Sequence, residues 1–260
     1  DGFKSRLAIC NCLYGAQVAY SEDLGSVLCS AMNDWLVAEW LDVEPRLRAS
    51  IIVPMQNVEM AGKEIQARAT DPRFVQILML VGGEKPLGSR MFWPIYEAAE
   101  RHSLPIALHA GSQFRHAPSP GGWGSYRAED YVNYSSAFQA QVQSFVLEGV
   151  FVKFPSLRLV LMESGFTWMP AFMWRLEKTW HALRAEVPWV DRSPSEIIRD
   201  NIRATLQPHD SPPTAEDFDK VIDQIGSDRM LLFSTDYPHW QFEGFDALPP
   251  GMSTALARKV

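Results

Sequence analysis

The chain has 260 residues, 47% of them hydrophobic and 12% aromatic, which is enough apolar material for a sizeable core and argues against disorder. Its formal net charge of −7, without any run of basic residues, argues against a nucleic-acid-binding protein. No apolar run approaches the roughly 18 residues of a membrane span, the amino terminus lacks a signal-peptide pattern, and three cysteines without a framework spacing predict reduced thiols and a cytoplasmic location.

Apolar segments of strand type alternate with segments of helical periodicity along the whole chain. Strands are predicted at residues 6–12, 47–54, 74–81, 105–111, 158–164, 202–207 and 230–235. Helices are predicted at residues 23–41, 58–69, 92–103, 135–149, 168–185 and 215–225. A long loop of glycine, proline, serine and aromatic residues is predicted from residue 112 to residue 131.

This alternation predicts an α/β fold. The strands read as continuous apolar runs, which is typical of parallel strands covered on both faces by helices. Regular alternation over residues 1–260 favours one (β/α)8 TIM barrel domain. Seven strands are found where a closed barrel has eight, and the chain enters a strand almost at once, so we expect a first strand to be missing from this sequence and both termini to be truncated. An open doubly wound sheet is the alternative.

Three of the predicted strands end in an ionisable residue: His109, Glu163 and Asp236. The carboxyl ends of barrel strands are where catalytic and metal-binding groups collect. A neutral imidazole at His109 would suit a divalent metal, and Asp236 would hold the metal through one oxygen and take a proton from bound water with the other. The alternatives are a hydrogen-bonded core histidine and a turn aspartate.

Three motifs carry a family resemblance. They are Leu108-His109-Ala110-Gly111, the segment 162–170 that begins Met-Glu-Ser-Gly, and the segment 234–240 that reads Ser-Thr-Asp-Tyr-Pro-His-Trp. Together they resemble the amidohydrolase-2 family, which includes enzymes of the aminocarboxymuconate-semialdehyde decarboxylase type.

The resemblance implies a (β/α)8 barrel and one divalent metal ion, zinc in preference to manganese, with His109 and Asp236 as ligands. Glu163 stands where many members have a catalytic histidine, so its role stays open between orienting substrate, relaying protons and bracing the site. The family's first-strand His-x-His pair has no counterpart in this sequence. We attribute that gap to the missing strand, and a metal-free relative is the alternative.

Further candidates lie on loops that would cover the site. Arginine there would bind a substrate carboxylate bidentately, and aromatic residues would pack on a ring. A solvated loop or a subunit contact is the alternative for each. The predicted substrate-binding residues are Arg90, Arg115, His116, Trp123, Tyr126, Arg127 and His239.

Together with these residues, the family resemblance implies a metal-dependent hydrolase of a small cyclic or aromatic carboxylate, with Asp236 and Glu163 as catalytic residues. Non-oxidative decarboxylation of an aromatic or muconate-type acid by a carbon–carbon lyase is one alternative, and a metal-free barrel that binds a small molecule is another. An unusually aromatic helix at 168–185 predicts a homodimer or a higher homo-oligomer.

Overall fold

The computed structural model describes residues 5–12, 15–111, 117–242, 244 and 247–260. The strands are β1 (Ala8–Cys10), β2 (Leu47–Ile52), β3 (Phe74–Leu80), β4 (Ile106–His109), β5 (Leu159–Met162), β6 (Ile202–Thr205) and β7 (Leu231–Leu232). The helices are α1 (Glu22–Leu36), which continues as a π-helical turn over Val37–Leu41, α2 (Val58–Arg68), α3 (Trp93–Arg101), α4 (Arg127–Leu147), α5 (Val150–Lys153), α6 (Met169–Leu183), α7 (Pro194–Asn201), α8 (Ala215–Ile225) and α9 (Thr254–Ala257). Within these ranges no helix combines the length and apolar character needed to span a membrane.

The seven strands form one parallel sheet in chain order, from β1 at one edge to β7 at the other. Helices connect consecutive strands, as parallel pairing requires. A doubly wound sheet would reverse its strand order at a switch point, so that alternative is excluded. The predicted barrel topology is confirmed, with seven strands among the described residues where a closed barrel has eight.

Alternate residues of each strand face opposite sides of the sheet, and the two sides have different cores. The outer side packs against the helices through fully buried residues such as Ile77, Leu108 and Leu161. The inner side holds a much smaller cluster of Leu78, Ala107 and Val160, to which partly buried Met162 and Leu232 add.

The inner side also contains a layer of polar side chains, which lies nearer to the amino-terminal ends of the strands than that cluster. The side-chain amide of Gln76 in β3 donates to the Ser50 hydroxyl in β2 at 2.8 Å. The Ser50 hydroxyl donates to Oδ1 of Asn11 at 2.6 Å. Because buried polar groups are costly unless paired, these bonds fix the first three strands to one another.

The largest correction to the predicted elements concerns α4, which begins at Arg127 rather than near residue 135. The carboxylate of Glu129 accepts hydrogen bonds from the backbone amides of Ser125 and of Tyr126, the latter at 3.0 Å. These bonds satisfy amides that a helix start would otherwise leave unpaired. The predicted long loop is therefore shorter, and Arg127 lies on a helix.

Candidate active site

His109 and Glu163 form the centre of the site. His109 ends β4, and the last residue of β5, Met162, pairs with it in the sheet and precedes Glu163. Nε2 of His109 lies 2.6 Å from Oε1 of Glu163, and the two side chains are only 10% and 15% exposed. The predicted convergence of two strand ends is thus observed as a direct contact.

Both ring nitrogens of His109 face oxygen atoms, because Nδ1 lies 2.6 Å from the carbonyl oxygen of Ala110. Burial alone would lower the pKa of His109. The hydrogen bond to Glu163, its negative charge, the bond to Ala110 and the charge of Asp236 outweigh that effect, so the pKa is raised. The arrangement suits an imidazolium that donates from both nitrogens.

Glu163 and Asp236 share an uncommon backbone conformation. Their φ angles are 62° and 54°, in the left-handed region. A residue with a Cβ atom is disfavoured there by about 1 to 2 kcal/mol. Such strain tends to persist at functional sites, where the surrounding structure holds it. Glu163 directly follows β5, whereas Asp236 lies in the loop beyond β7 and not at the strand end that the sequence predicted. The same strained conformation at two carboxylate residues supports a functional role for both.

Asp236 is the third member of the site, and its side chain is 14% exposed. Burial and the negative charge of Glu163 raise its pKa to about 6, against the opposing effects of His239 and His109. Oδ2 of Asp236 lies 3.0 Å from Nδ1 of His239, but the contact is not aligned as a hydrogen bond. This oxygen is buried and finds no hydrogen-bond partner among the described residues.

The backbone around Glu163 is braced from the neighbouring strand. The amide of Glu163 donates to Oγ1 of Thr205 in β6 at 3.2 Å. Farther along, the carboxylate of Asp210 accepts from the amides of Phe166 and Thr167, at 3.0 Å and 3.2 Å. Sequence reasoning missed Asp210, although its position just after the sixth strand placed it at the same rim.

The predicted loop residues have three outcomes. Arg115 and His116 lie outside the described residues. Trp123 and Tyr126 are 58% and 74% exposed, and in the described part of the chain no hydrogen bond, ion pair or ring contact joins them to the three residues of the site. Arg127, in contrast, connects through Tyr131 to the loop that follows Asp236, because both Arg127 and Trp240 donate to the Tyr131 hydroxyl.

Arg90 lies away from the strand ends. Its guanidinium carbon is 5.4 Å from the ring centre of Trp93 and 5.8 Å from that of Trp189, an arrangement typical of cation–π contact. Trp93 begins α3, and the Trp189 indole donates to the Leu147 carbonyl at the end of α4. The guanidinium is therefore engaged in the helical layer outside the sheet.

The donor types at the site fit a divalent cation. Asp236 offers a buried oxygen without a hydrogen bond, and an imidazole and a second carboxylate adjoin it. For His109 to become a ligand, Nε2 would have to lose its proton and its contact with Glu163. Within the described ranges, no group of three His, Cys, Asp or Glu residues is arranged to hold a metal.

Comparison with known proteins gives a family match over nearly the whole chain. The family model described as amidohydrolase matches residues 7–256. The chain is 26% identical over 228 residues to the gamma-resorcylate decarboxylase of a Polaromonas species, covering 82% of this chain and 66% of the relative. It is 27% identical to the enzyme of the same name from a Rhizobium species, covering 82% and 65%. The chain therefore spans slightly less than two thirds of the length of these relatives.

Solved structures with similar folds include an amidohydrolase from Mycobacterium avium subsp. paratuberculosis, with a TM-score of 0.78, 21% identity and coverage of 98% and 68% of the two chains. Two decarboxylases were solved with manganese. A dihydroxybenzoic acid decarboxylase from Polaromonas, with the inhibitor 2-nitroresorcinol, has a TM-score of 0.71, 20% identity and coverage of 94% and 75%. A 5-carboxyvanillate decarboxylase from Novosphingobium aromaticivorans has a TM-score of 0.73, 20% identity and coverage of 99% and 74%. At sequence identities of 20% and 21%, the similarity to these structures establishes the fold of this chain.

Proposed function

Because the chain belongs to the amidohydrolase-2 family, we propose that the whole protein is an enzyme that removes a carboxylate from a small aromatic acid without an oxidant. The observation that carries the proposal is the buried group of His109, Glu163 and Asp236, in which the pKa of Asp236 is raised to about 6. Relatives named as decarboxylases support this reaction over the hydrolysis that the sequence favoured. We take the proposed substrate class, a small aromatic acid, from the names of these relatives.

In this proposal Asp236 is the acid that protonates the ring. Its proton is transferred to the ring carbon that bears the carboxylate, and the bond between that carbon and the carboxylate then breaks. The bonding electron pair returns to the ring, carbon dioxide leaves, and Asp236 regains a proton from water. An acid is most effective when its pKa lies near the working pH, and in the metal-free protein burial beside Glu163 brings the pKa of Asp236 closer to that value.

The other groups orient the reactants. In the metal-free protein Glu163 fixes the ring of His109 through the 2.6 Å contact, and the positive imidazolium would attract a substrate carboxylate. We retain Trp123, Tyr126, Arg127 and His239 as candidate substrate contacts, with Arg115 and His116 as candidates outside the described residues.

We include a divalent metal ion in the proposal. Asp236 and His109 are the residues that would hold it. His109 would then be a neutral imidazole released from Glu163, and the pKa of Asp236 would be lower than in the metal-free protein. When bound, zinc or manganese would supply a positive charge that orients the substrate's carboxylate and neighbouring oxygen.

The predicted cytoplasmic location and homo-oligomeric state stay predictions.

Turnover of 2,6-dihydroxybenzoate by the full-length protein tests the reaction. We expect release of carbon dioxide, with a rate at least about 100-fold lower in Asp236→Asn because the ring loses its proton donor. Asp219→Asn, which changes an exposed aspartate of α8, is the matched control and should retain the wild-type rate. Hydrolysis of an aromatic lactone without any decarboxylation would instead restore the hydrolase hypothesis.

Elemental analysis of the same proteins tests the metal. About one zinc or manganese ion per chain, absent from Asp236→Asn and retained by Asp219→Asn, is the expected result. Wild-type protein that stays free of metal after reconstitution, and inactive, would favour the metal-free binding protein.

A further inference from the structure

The segment 236–242 carries Asp236 and His239 but has little apolar burial to hold it. The His239 amide donates to the Asp236 carbonyl at 2.7 Å, and the Phe242 amide donates to the His239 carbonyl at 2.9 Å. These bonds shape the segment internally without joining it to the rest of the molecule. Tyr237 and Trp240 are 70% and 68% exposed. The position of the segment must therefore depend on a few specific contacts.

One of these contacts joins the segment to α4. The indole N–H of Trp240 donates to the hydroxyl oxygen of Tyr131 at 3.1 Å. The two rings pack edge to face, with centroids 5.6 Å apart and planes at 79°. The Trp240 ring is in turn 5.7 Å from the ring of His239, whose Nδ1 lies 3.0 Å from Asp236. A continuous series of side chains thus leads from α4 to Asp236.

Arg127 strengthens the α4 end of this series. Its Nη2 donates to the same Tyr131 hydroxyl at 3.2 Å, and its guanidinium lies 5.5 Å from the Tyr131 ring centre. Indole and guanidinium groups are donors only, so the Tyr131 oxygen must accept both hydrogen bonds. Two donors from different elements therefore fix the phenol in one orientation, with its ring against Trp240.

We infer that Tyr131 and Trp240 are positioning residues that hold the 236–242 segment in place and thereby set the location of Asp236. We call this pair the Tyr131–Trp240 clasp. Asp236 has a φ of 54°, a conformation that persists only where the surrounding structure holds it. The expected effect of the clasp on catalysis rests on the proposed function, because the position of Asp236 matters most if Asp236 donates a proton.

Hydrogen–deuterium exchange of peptides covering residues 236–242 tests the clasp without any need for turnover. Tyr131→Phe removes the hydroxyl but keeps the ring, and Trp240→Phe removes the indole N–H. We expect about fivefold faster exchange at these amides in either variant, the factor that corresponds to the loss of one ordinary hydrogen bond. Tyr237→Phe is the matched control, because it removes a hydroxyl from the same segment that makes no hydrogen bond within the described residues.

Steady-state kinetics on the aromatic acid provide the second measurement. Tyr131→Phe should lower kcat about fivefold with KM nearly unchanged, and it should lower the melting temperature by no more than about 2 to 4 °C, the shift expected for the loss of one hydrogen bond. Exchange that is unchanged in both clasp variants, or equally raised in the Tyr237→Phe control, would overturn the inference, and so would faster exchange with an unchanged kcat. If the wild-type protein turns over no aromatic acid, the proposed function fails, and the exchange data still decide whether the clasp exists.

Discussion

At the scale of single residues, the site combines several features that oppose stability. Glu163 and Asp236 both have left-handed backbone conformations, and the negative charge of Glu163 disfavours ionisation of Asp236. His109 offsets part of this by its contact with Glu163. Residues that lower stability are often retained where function needs them. Replacement of Asp236 should therefore raise the stability of the protein while it lowers the activity.

We expect Asp236→Asn to stabilise the metal-free protein above about pH 6. The folded-state pKa of Asp236 is raised from 3.8 to about 6, so the folded state binds the proton more tightly than the unfolded chain does. Wild-type stability therefore falls as the pH rises from about 4 to 6 and stays lower above that range. Asparagine carries no charge and is among the residues that best tolerate a positive φ. The gain should be about 1 to 2 kcal/mol at pH 8, after allowance for solvent screening.

Urea unfolding in EDTA between pH 4 and pH 8 measures this difference. The variant should gain little at pH 4, where Asp236 is still protonated in the folded state and is not repelled by Glu163. Asp219→Asn controls for the loss of a negative charge elsewhere on the surface. A stability difference that is the same at every pH would contradict the argument.

At the scale of elements, the strands were the most predictable part of the chain. Each of the seven apolar runs contains a strand, because a parallel strand covered on both faces needs apolar residues at nearly every position. The last strand is shorter than its apolar run: β7 covers only Leu231–Leu232, and Phe233 beyond it is exposed. Helix α7 was missed although Ser193 caps it and Pro194 begins it, which are ordinary start signals.

The candidate site was predictable only in part, because of what determines each contact. The ends of β4 and β5 place His109 and Glu163 at one rim, and the loop that follows β7 carries Asp236. The contact between Tyr131 and Trp240 joins residues 109 positions apart, and no local pattern specifies it. Arg90 illustrates the converse, since an arginine after a strand looked like a substrate contact but lies between two tryptophan rings.

Two glycines provide a test of packing between elements. A Cβ atom on Gly88 would lie 2.2 Å from the backbone carbonyl oxygen of Ser144 in α4, whereas one on Gly62 in α2 would meet no atom within 4 Å. We expect Gly88→Ala to destabilise the protein by about 2 to 3 kcal/mol, because a backbone contact cannot yield without moving α4. Gly62→Ala should stabilise it by about 0.5 to 1 kcal/mol through helix propensity. Chemical denaturation of both variants checks the pair, and equal effects would refute the packing argument.

At the scale of the whole molecule, α1 differs from an ordinary surface helix because it has two apolar sides. Its buried side carries Cys29 and Leu36. Its solvent side carries Leu24, Val27, Leu28 and Trp35, which are 53%, 66%, 38% and 43% exposed and recur at helical spacing. A continuous apolar stripe of this kind marks an interaction surface more often than a free one.

We therefore expect the 260-residue polypeptide to self-associate reversibly through the exposed stripe of α1. Burial of these side chains supplies the driving force, which is proportional to the apolar area removed from water. A charge at the centre of the stripe would have to be desolvated on association, so Val27→Glu should weaken association at least about tenfold. Val132→Glu makes the same change at a position that is 75% exposed on α4 and should associate like the wild type. Sedimentation velocity over a range of concentrations measures the three proteins, and association that survives Val27→Glu would assign the contact to another surface.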